Sequence, residues 1–143
     1  MTEQVFYEDI EVGSDIPTLV KHPTPRQLAK WAGASGDYYE IHYDKDFALG
    51  NNLPGTIVHG WLHLSFLGQL VTDWIGEQGT LVKLGGSYRG MLVPHEDLFC
   101  KGKVTKKFVE GGKHHIEAEI WVENQKGEKT TPGSATVILP SRN

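Results

Sequence analysis

The sequence holds a single cysteine, Cys100, so no intrachain disulfide can form. Cys100 lies in the alternating stretch Leu98-Phe99-Cys100-Lys101-Gly102-Lys103-Val104, where a small buried strand residue is expected rather than a nucleophile. A lone cysteine fits a reducing cytoplasm. A basic excess is also missing. Lys and Arg number 14 against 18 Asp and Glu, a net charge of −4, which argues against a general nucleic-acid binder. No uninterrupted apolar run is long enough for a membrane span; the longest, around Ile57 to Ile75, is broken by His59, His63, Gln69 and Asp73. Met1 to Val5 show no basic region followed by an apolar run, so no signal peptide is expected. Repeats, low-complexity tracts and linkers are absent as well. The 143 residues, 38% hydrophobic and 22% charged, are expected to form one domain, 1–143, around one core.

What is present divides into an early part with helical signals and a late part with strand signals. Ile16 to Lys21 reads as a short strand. Thr24-Pro25-Arg26-Gln27 has the form of a helix start, with Thr24 as cap, Pro25 at the first helical position and Gln27 placed for a capping box. Leu28, Trp31 and Ala32 share a face, and Gly33 and Gly36 end the helix within about three turns. From Asp37 to Thr56 the pattern is irregular and polar, with Gly50, Asn51, Asn52, Pro54 and Gly55 as breakers. A loop of about twenty residues in a compact domain is unusual, and such loops tend to be functional. After Ile57-Val58-His59-Gly60, a second helix places Leu62, Phe66, Leu67, Leu70, Val71 and Trp74 at spacings of three and four, wide enough around the circumference to be largely buried. Past Gly76 the texture becomes β. Thr80 to Arg89, Leu98 to Phe108, Lys113 to Glu123 and Lys129 to Leu139 read as strands, with turns at Gly111-Gly112 and Gln125-Lys126-Gly127. An α+β chain whose antiparallel sheet wraps around one long central helix is a hotdog fold. Its edge or helix face is expected to be covered by a second subunit.

Asp37 and His42 stand five residues apart in the loop. On spacing alone the plainer reading is a turn aspartate after Gly36 and a surface histidine. A bent loop can nevertheless bring the two together, and a carboxylate beside an imidazole suits proton transfer near neutral pH. His59-Gly60 adds a third element. A helix start offers unpaired N–H groups and a positive dipole end, and Gly60 has no side chain to block approach. A thioester carbonyl there would have its developing enolate charge stabilised by the Gly60 N–H. Hydration of an α,β-unsaturated thioester needs that oxyanion site, a base for water and an acid for the α-carbon.

Ala34-Ser35-Gly36-Asp37-Tyr38-Tyr39-Glu40-Ile41-His42-Tyr43-Asp44 resembles the hydratase signature of the MaoC-like proteins, which include (R)-specific enoyl-CoA hydratases and mycobacterial (3R)-hydroxyacyl-ACP dehydratase subunits. That pattern reads Ser-Gly-Asp-x-Asn-Pro-(Ile/Leu)-His. The resemblance continues through Pro54-Gly55-Thr56-Ile57-Val58-His59-Gly60-Trp61 and Tyr88-Arg89-Gly90-Met91 to Pro94, and covers about residues 24 to 137. It implies a hydro-lyase interconverting trans-2-enoyl and (3R)-hydroxyacyl thioesters, with Asp37 and His42 as catalytic dyad and the Gly60 amide as oxyanion donor. No cofactor is implied beyond the CoA or carrier protein of the substrate. The expected assembly is a homodimer, or a heterodimer with a related hotdog subunit, with the pantetheine tunnel at the interface. Tyr39-Glu40 replaces the family's Asn-Pro, so Tyr39 and Glu40 are expected to line the pocket with His59, Trp61 and Arg89. His95-Glu96 replaces a frequent Gly-Asp.

Other readings are weaker. His59 and His63, four apart on a helix, have a zinc-like spacing but no following Glu and no evident third ligand, so no metal is expected. Trp31, Trp61, Trp74 and Trp121 read as core or interface residues. His114 and His115 alternate in a strand and read as a solvated pair. Ser65 is expected to bond its own helix backbone. Arg89, Lys83, Lys101 and Lys103 are candidates for the phosphates of coenzyme A. The alternatives are a hotdog thioesterase, whose carboxylate on the central helix is lacking here before Asp73, and a non-catalytic acyl-thioester-binding subunit of a heteromeric dehydratase.

Overall fold

The β-rich second half closes into a sheet because its strands alternate and its turns supply the backbone that tight hairpins need. The computed structural model describes residues 3–143. Five antiparallel strands are ordered β1-β3-β4-β5-β2: β1 (Asp15–Lys21), β2 (Thr80–Gly86), β3 (Leu98–Glu110), β4 (Lys113–Glu123) and β5 (Lys129–Leu139). Gly111 and Gly112 both take positive φ, 58° and 74°, as a two-residue hairpin with the sheet's own twist requires. That turn sets Glu110 opposite Lys113 and Val104 opposite Ala118. The other hairpin sets Ile116 opposite Val137 and Ile120 opposite Gly133.

Three helices precede or interrupt the strands: α1 (Pro25–Ser35), α2 (Lys45–Gly50) and α3 (Gly60–Ile75). Thr24 caps α1 by accepting from the Gln27 amide at 3.3 Å. Along α3 the buried residues are Leu62, His63, Phe66, Leu67, Leu70, Val71, Trp74 and Ile75, one continuous stripe of adjacent pairs repeating every four residues. The helix touches all five strands, so the sheet curves around it and the core lies between them. Each fully buried Leu contributes roughly 1.5–3 kcal/mol through surface removed from water. Cys100 is fully buried in that core, and burial pushes its thiol up to about 12. This is the inert strand cysteine that the sequence predicts.

Two expectations change. The segment 37–56 is not a bare loop, for it contains a 3-10 turn (Glu40–His42) and α2. Asp44 caps α2 through Phe47 N at 3.0 Å, a short signal hidden among polar residues. The strand expected to run from Thr80 to Arg89 ends at Gly86. Among the tryptophans, Trp74 is buried in the core, while Trp61 is 67% exposed and faces away from the stripe. Ser65 does bond its own backbone, donating to Trp61 O at 2.8 Å. His114 and His115 are half-buried, His114 against Tyr7 and His115 stacked on Phe108. Among the described residues no helix is long and apolar enough to cross a membrane.

Candidate active site

α1 stops at Gly36, whose φ of 77° is left-handed and whose N–H closes on Ala32 O. The chain then folds tightly. Ser35 Oγ accepts from Asp37 N at 3.2 Å, and Asp37 Oδ1 accepts from Tyr39 N at 3.3 Å, an Asx turn. The 3-10 turn that follows swings His42 back toward Asp37. His42 is buried, and its Nδ1 lies 2.7 Å from the Ile57 carbonyl. A carbonyl only accepts, so Nδ1 carries the proton and the neutral ring keeps its lone pair on Nε2. That Nε2 lies 3.8 Å from Asp37 Oδ2, whose side chain is 39% exposed. Ile57 N also bonds Ile41 O at 3.1 Å. Residue 57 therefore clamps the turn by both of its main-chain groups.

The same strand of chain delivers α3. His59 is its N-cap residue but makes no side-chain cap bond, so the first amides of the helix, beginning with Gly60, keep the free N–H groups of a helix start. The Tyr88 ring covers this point, 3.2 Å from where a Cβ on Gly60 would stand. Trp61 joins Trp31, Ser35, Gly36 and Asp37 around an open groove of about 550 Å³. Apolar walls and a half-exposed carboxylate thus share one groove.

The structure brings Asp37, His42, His59, Gly60 and Trp61 together. Tyr39 stands edge-on to His42 with ring centroids 6.3 Å apart and is half exposed, and Glu40 points to the surface. His59, expected to line the substrate pocket, has no exposed surface; it lies behind His42, their rings stacked at 3.8 Å. Arg89 is exposed, its amide held by Thr130 O, and nothing brings its guanidinium to Asp37 or His42. Lys101 and Lys103 pair with Glu123 and Asp15 at 2.9 and 3.3 Å, which leaves Lys83 and Arg89 as the phosphate candidates. Sequence reasoning passed over Ile57, which acts through its carbonyl, and Thr131, whose Oγ1 lies 3.0 Å from His63 Nδ1. Tyr88 over Gly60 was visible only as part of a motif.

The zinc-like spacing of His59 and His63 proves secondary. His59 instead joins Asp37 and His42, with ligand atoms within 4.8 Å of one another. The two imidazoles are stacked with planes only 21° apart. Lone pairs lie in the ring planes, and planes stacked this nearly parallel at 3.8 Å are a poor arrangement for two imidazoles to share one ion at about 2 Å.

His63 is the one titratable group of the buried helical stripe. It is 3% exposed with Nε2 unpartnered, and burial lowers its pKa from 6.5 to about 4. The His42 and His59 rings push the same way. Between those values the unfolded chain binds the proton and the folded one does not. The stabilisation is therefore full above pH 6.5 and is lost as pH falls toward 4. At about 1.4 kcal/mol per unit it amounts to roughly 3 kcal/mol. Denaturant midpoints taken from pH 7.5 to 4 are expected to fall in that window, and His63→Asn to flatten the fall. An unchanged slope in the variant would assign the acid sensitivity elsewhere.

The MaoC like domain family matches residues 9–138. A stretch of 77 residues, 52% of the chain, is 35% identical to the fatty acid synthase subunit beta of Aspergillus oryzae, where it spans only 4% of that protein. Over 92% of its length the chain is 25% identical to 96% of the 3-oxo-4,17-pregnadiene-20-carboxyl-CoA hydratase beta subunit of Mycobacterium tuberculosis. In shape it matches the (R)-hydratase from A. caviae involved in PHA biosynthesis, with a TM-score of 0.84 over 93% of this chain and 99% of that one, at 24% identity.

Proposed function

This chain belongs to the MaoC-like domain family, and from that premise we propose that it is a hydro-lyase interconverting trans-2-enoyl and (3R)-3-hydroxyacyl thioesters. The observation that carries the proposal is the placement of Asp37 Oδ2 3.8 Å from His42 Nε2, on a loop held against the start of α3 by the His59–Asp37 contact. That separation is too long for a direct bond and short enough for one water to touch both.

In the proposed reaction the thioester carbonyl lies at the Gly60 N–H. The water oxygen bonds to Cβ, the C=C π pair moves to an enolate whose charge rests on the carbonyl oxygen, and the dyad takes the water's proton. A proton returned from the dyad to Cα completes the addition, and dehydration runs the same steps backward. The Ile57 bond fixes Nε2 as the working atom of His42. The pair exchanges protons as a unit. No cofactor enters this scheme. Fixed N–H donors at the enolate and a positioned acid/base pair each contribute on the order of 10²-fold or more to such a reaction.

The proposal extends to the carrier and the assembly. Coenzyme A or an acyl carrier protein brings phosphates, for which Lys83 and Arg89 remain. A second hotdog subunit, identical or related, covers the apolar surface left by Trp61, Val82, Tyr88 and Met91, each about half exposed or more. A cytoplasmic location goes with this reading. A thioesterase reading finds no support, because the first carboxylate along α3 is Asp73, exposed near its far end. The test is loss of enone absorbance when the purified protein meets crotonyl-CoA and longer or branched enoyl-CoAs, with 3-hydroxyacyl product identified. Release of free thiol without enone loss would replace the proposal with a thioesterase. Activity that appears only with a co-expressed homologue would make the chain a subunit.

A further inference from the structure

His59 occupies a position where Ser, Thr, Asp or Asn would cap the helix, yet its side chain makes no cap bond. It is fully buried. Its ring lies face to face with His42, centroids 3.8 Å apart and planes 21° from parallel. Its Nε2 lies 3.3 Å from the main-chain oxygen of Asp37. A carbonyl accepts only, so Nε2–H donates. In the neutral ring Nδ1 is then a bare lone pair, buried and without a partner.

The other bonds that shape residue 37 are local. Its amide goes to Ser35 Oγ and its carboxylate receives Tyr39 N, both within two residues. Among the described residues, the only hydrogen bond that ties Asp37 to the rest of the fold comes from His59, 22 positions away. His42, by contrast, has its own long-range anchor at Ile57.

We infer that His59 is a positioning residue, a buried imidazole that holds Asp37 by its carbonyl and His42 by its ring face and so sets their separation. This rests on the reaction proposed above and adds to it a residue that never touches substrate. One ring serves both partners because they present different surfaces to it: an acceptor atom in its plane and a π face parallel to it. Neutrality is built in. A proton on Nδ1 would have no acceptor, and the resulting cation would lie against His42. Burial and the neighbouring His42 both lower the His59 pKa, in keeping with that arrangement.

His59→Phe keeps a stacking ring and removes both the Asp37 bond and the orphan nitrogen, so the protein should melt within a few degrees of wild type. Its kcat for enoyl-CoA hydration is expected to fall about 10²-fold, the scale of a misplacement near 1 Å, with KM changed by less than about threefold. His59→Gln places an amide N–H near the old Nε2 and is expected to recover roughly tenfold of that loss. Amide hydrogen exchange supplies a readout independent of activity: residues 37–42 should exchange faster in the folded Phe variant and less so in Gln. Raised KM with unchanged kcat would instead make His59 a substrate contact and overturn the inference. So would wild-type kcat in both variants, or unchanged exchange in a folded Phe variant. A wild-type protein inert toward every enoyl thioester would refute the proposed function, and the exchange data would then decide the positioning role alone.

Discussion

Asp37→Asn and His42→Ala each lower kcat/KM for enoyl-CoA hydration by roughly 10²–10⁴-fold, the usual contribution of a positioned acid or base. The asparagine is the cleaner of the two. Its amide oxygen can still receive Tyr39 N, as Asp37 Oδ1 does at 3.3 Å, so the turn stays formed while the charge is lost. His42→Ala also strips the half-buried Ile57 carbonyl of its 2.7 Å donor, a loss of about 1 kcal/mol where water can partly replace it. Melting should therefore be measured beside the rate. If the two side chains share one water, the double variant is no slower than the worse single one, because either loss already disables the unit. Full activity in both single variants would remove Asp37 and His42 from the chemistry. Additive losses would make them two independent groups.

Gly60→Pro lowers kcat by roughly 10²–10³-fold, the loss that follows removal of one oxyanion donor, while Gly60→Ala costs only a few-fold. A backbone donor is hard to delete, but this one sits at the first helical position, where proline is at home and its missing N–H breaks no helical bond. His59 has ψ 138°, a conformation that a following proline accepts. Both substitutions add a Cβ about 3.2 Å from the Tyr88 ring, so crowding at Cβ is common to the pair; proline further replaces the N–H by its ring Cδ, which removes the donor and fills its place. Equal rates in the two variants would place the enolate charge elsewhere, and a proline variant with lost helicity would make the alanine comparison void as support for the donor.

Much of the architecture was legible before any coordinate. The strands Lys113–Glu123 and Lys129–Leu139 emerge with their expected ends, because alternation flanked by Gly-Gly and Lys-Gly turns leaves little freedom in register. The stripe of α3 follows from spacing alone. Asp44 with α2 was missed because a six-residue helix shows too few turns for a period to declare itself. The first half of the chain carried its meaning differently: Asp37, His42 and Gly60 stood out by residue type and by family resemblance, not by any pattern of burial.

The sequence by itself determined the fold class and the buried helix, since periodicity and turn chemistry are local and act through neighbours along the chain; it named the candidate dyad only by residue type and family resemblance. Only the tertiary structure decided what holds that dyad. The Ile57 carbonyl that fixes the His42 tautomer is a group every residue carries, so no side chain announces it. The face of His59 on His42 and its bond to Asp37 join positions 17 and 22 apart in number (59 against 42 and 37) that meet only when α3 packs into the sheet. Contacts of that kind arise from closing the chain on itself, and they put His59 behind His42, buried where a substrate contact was expected.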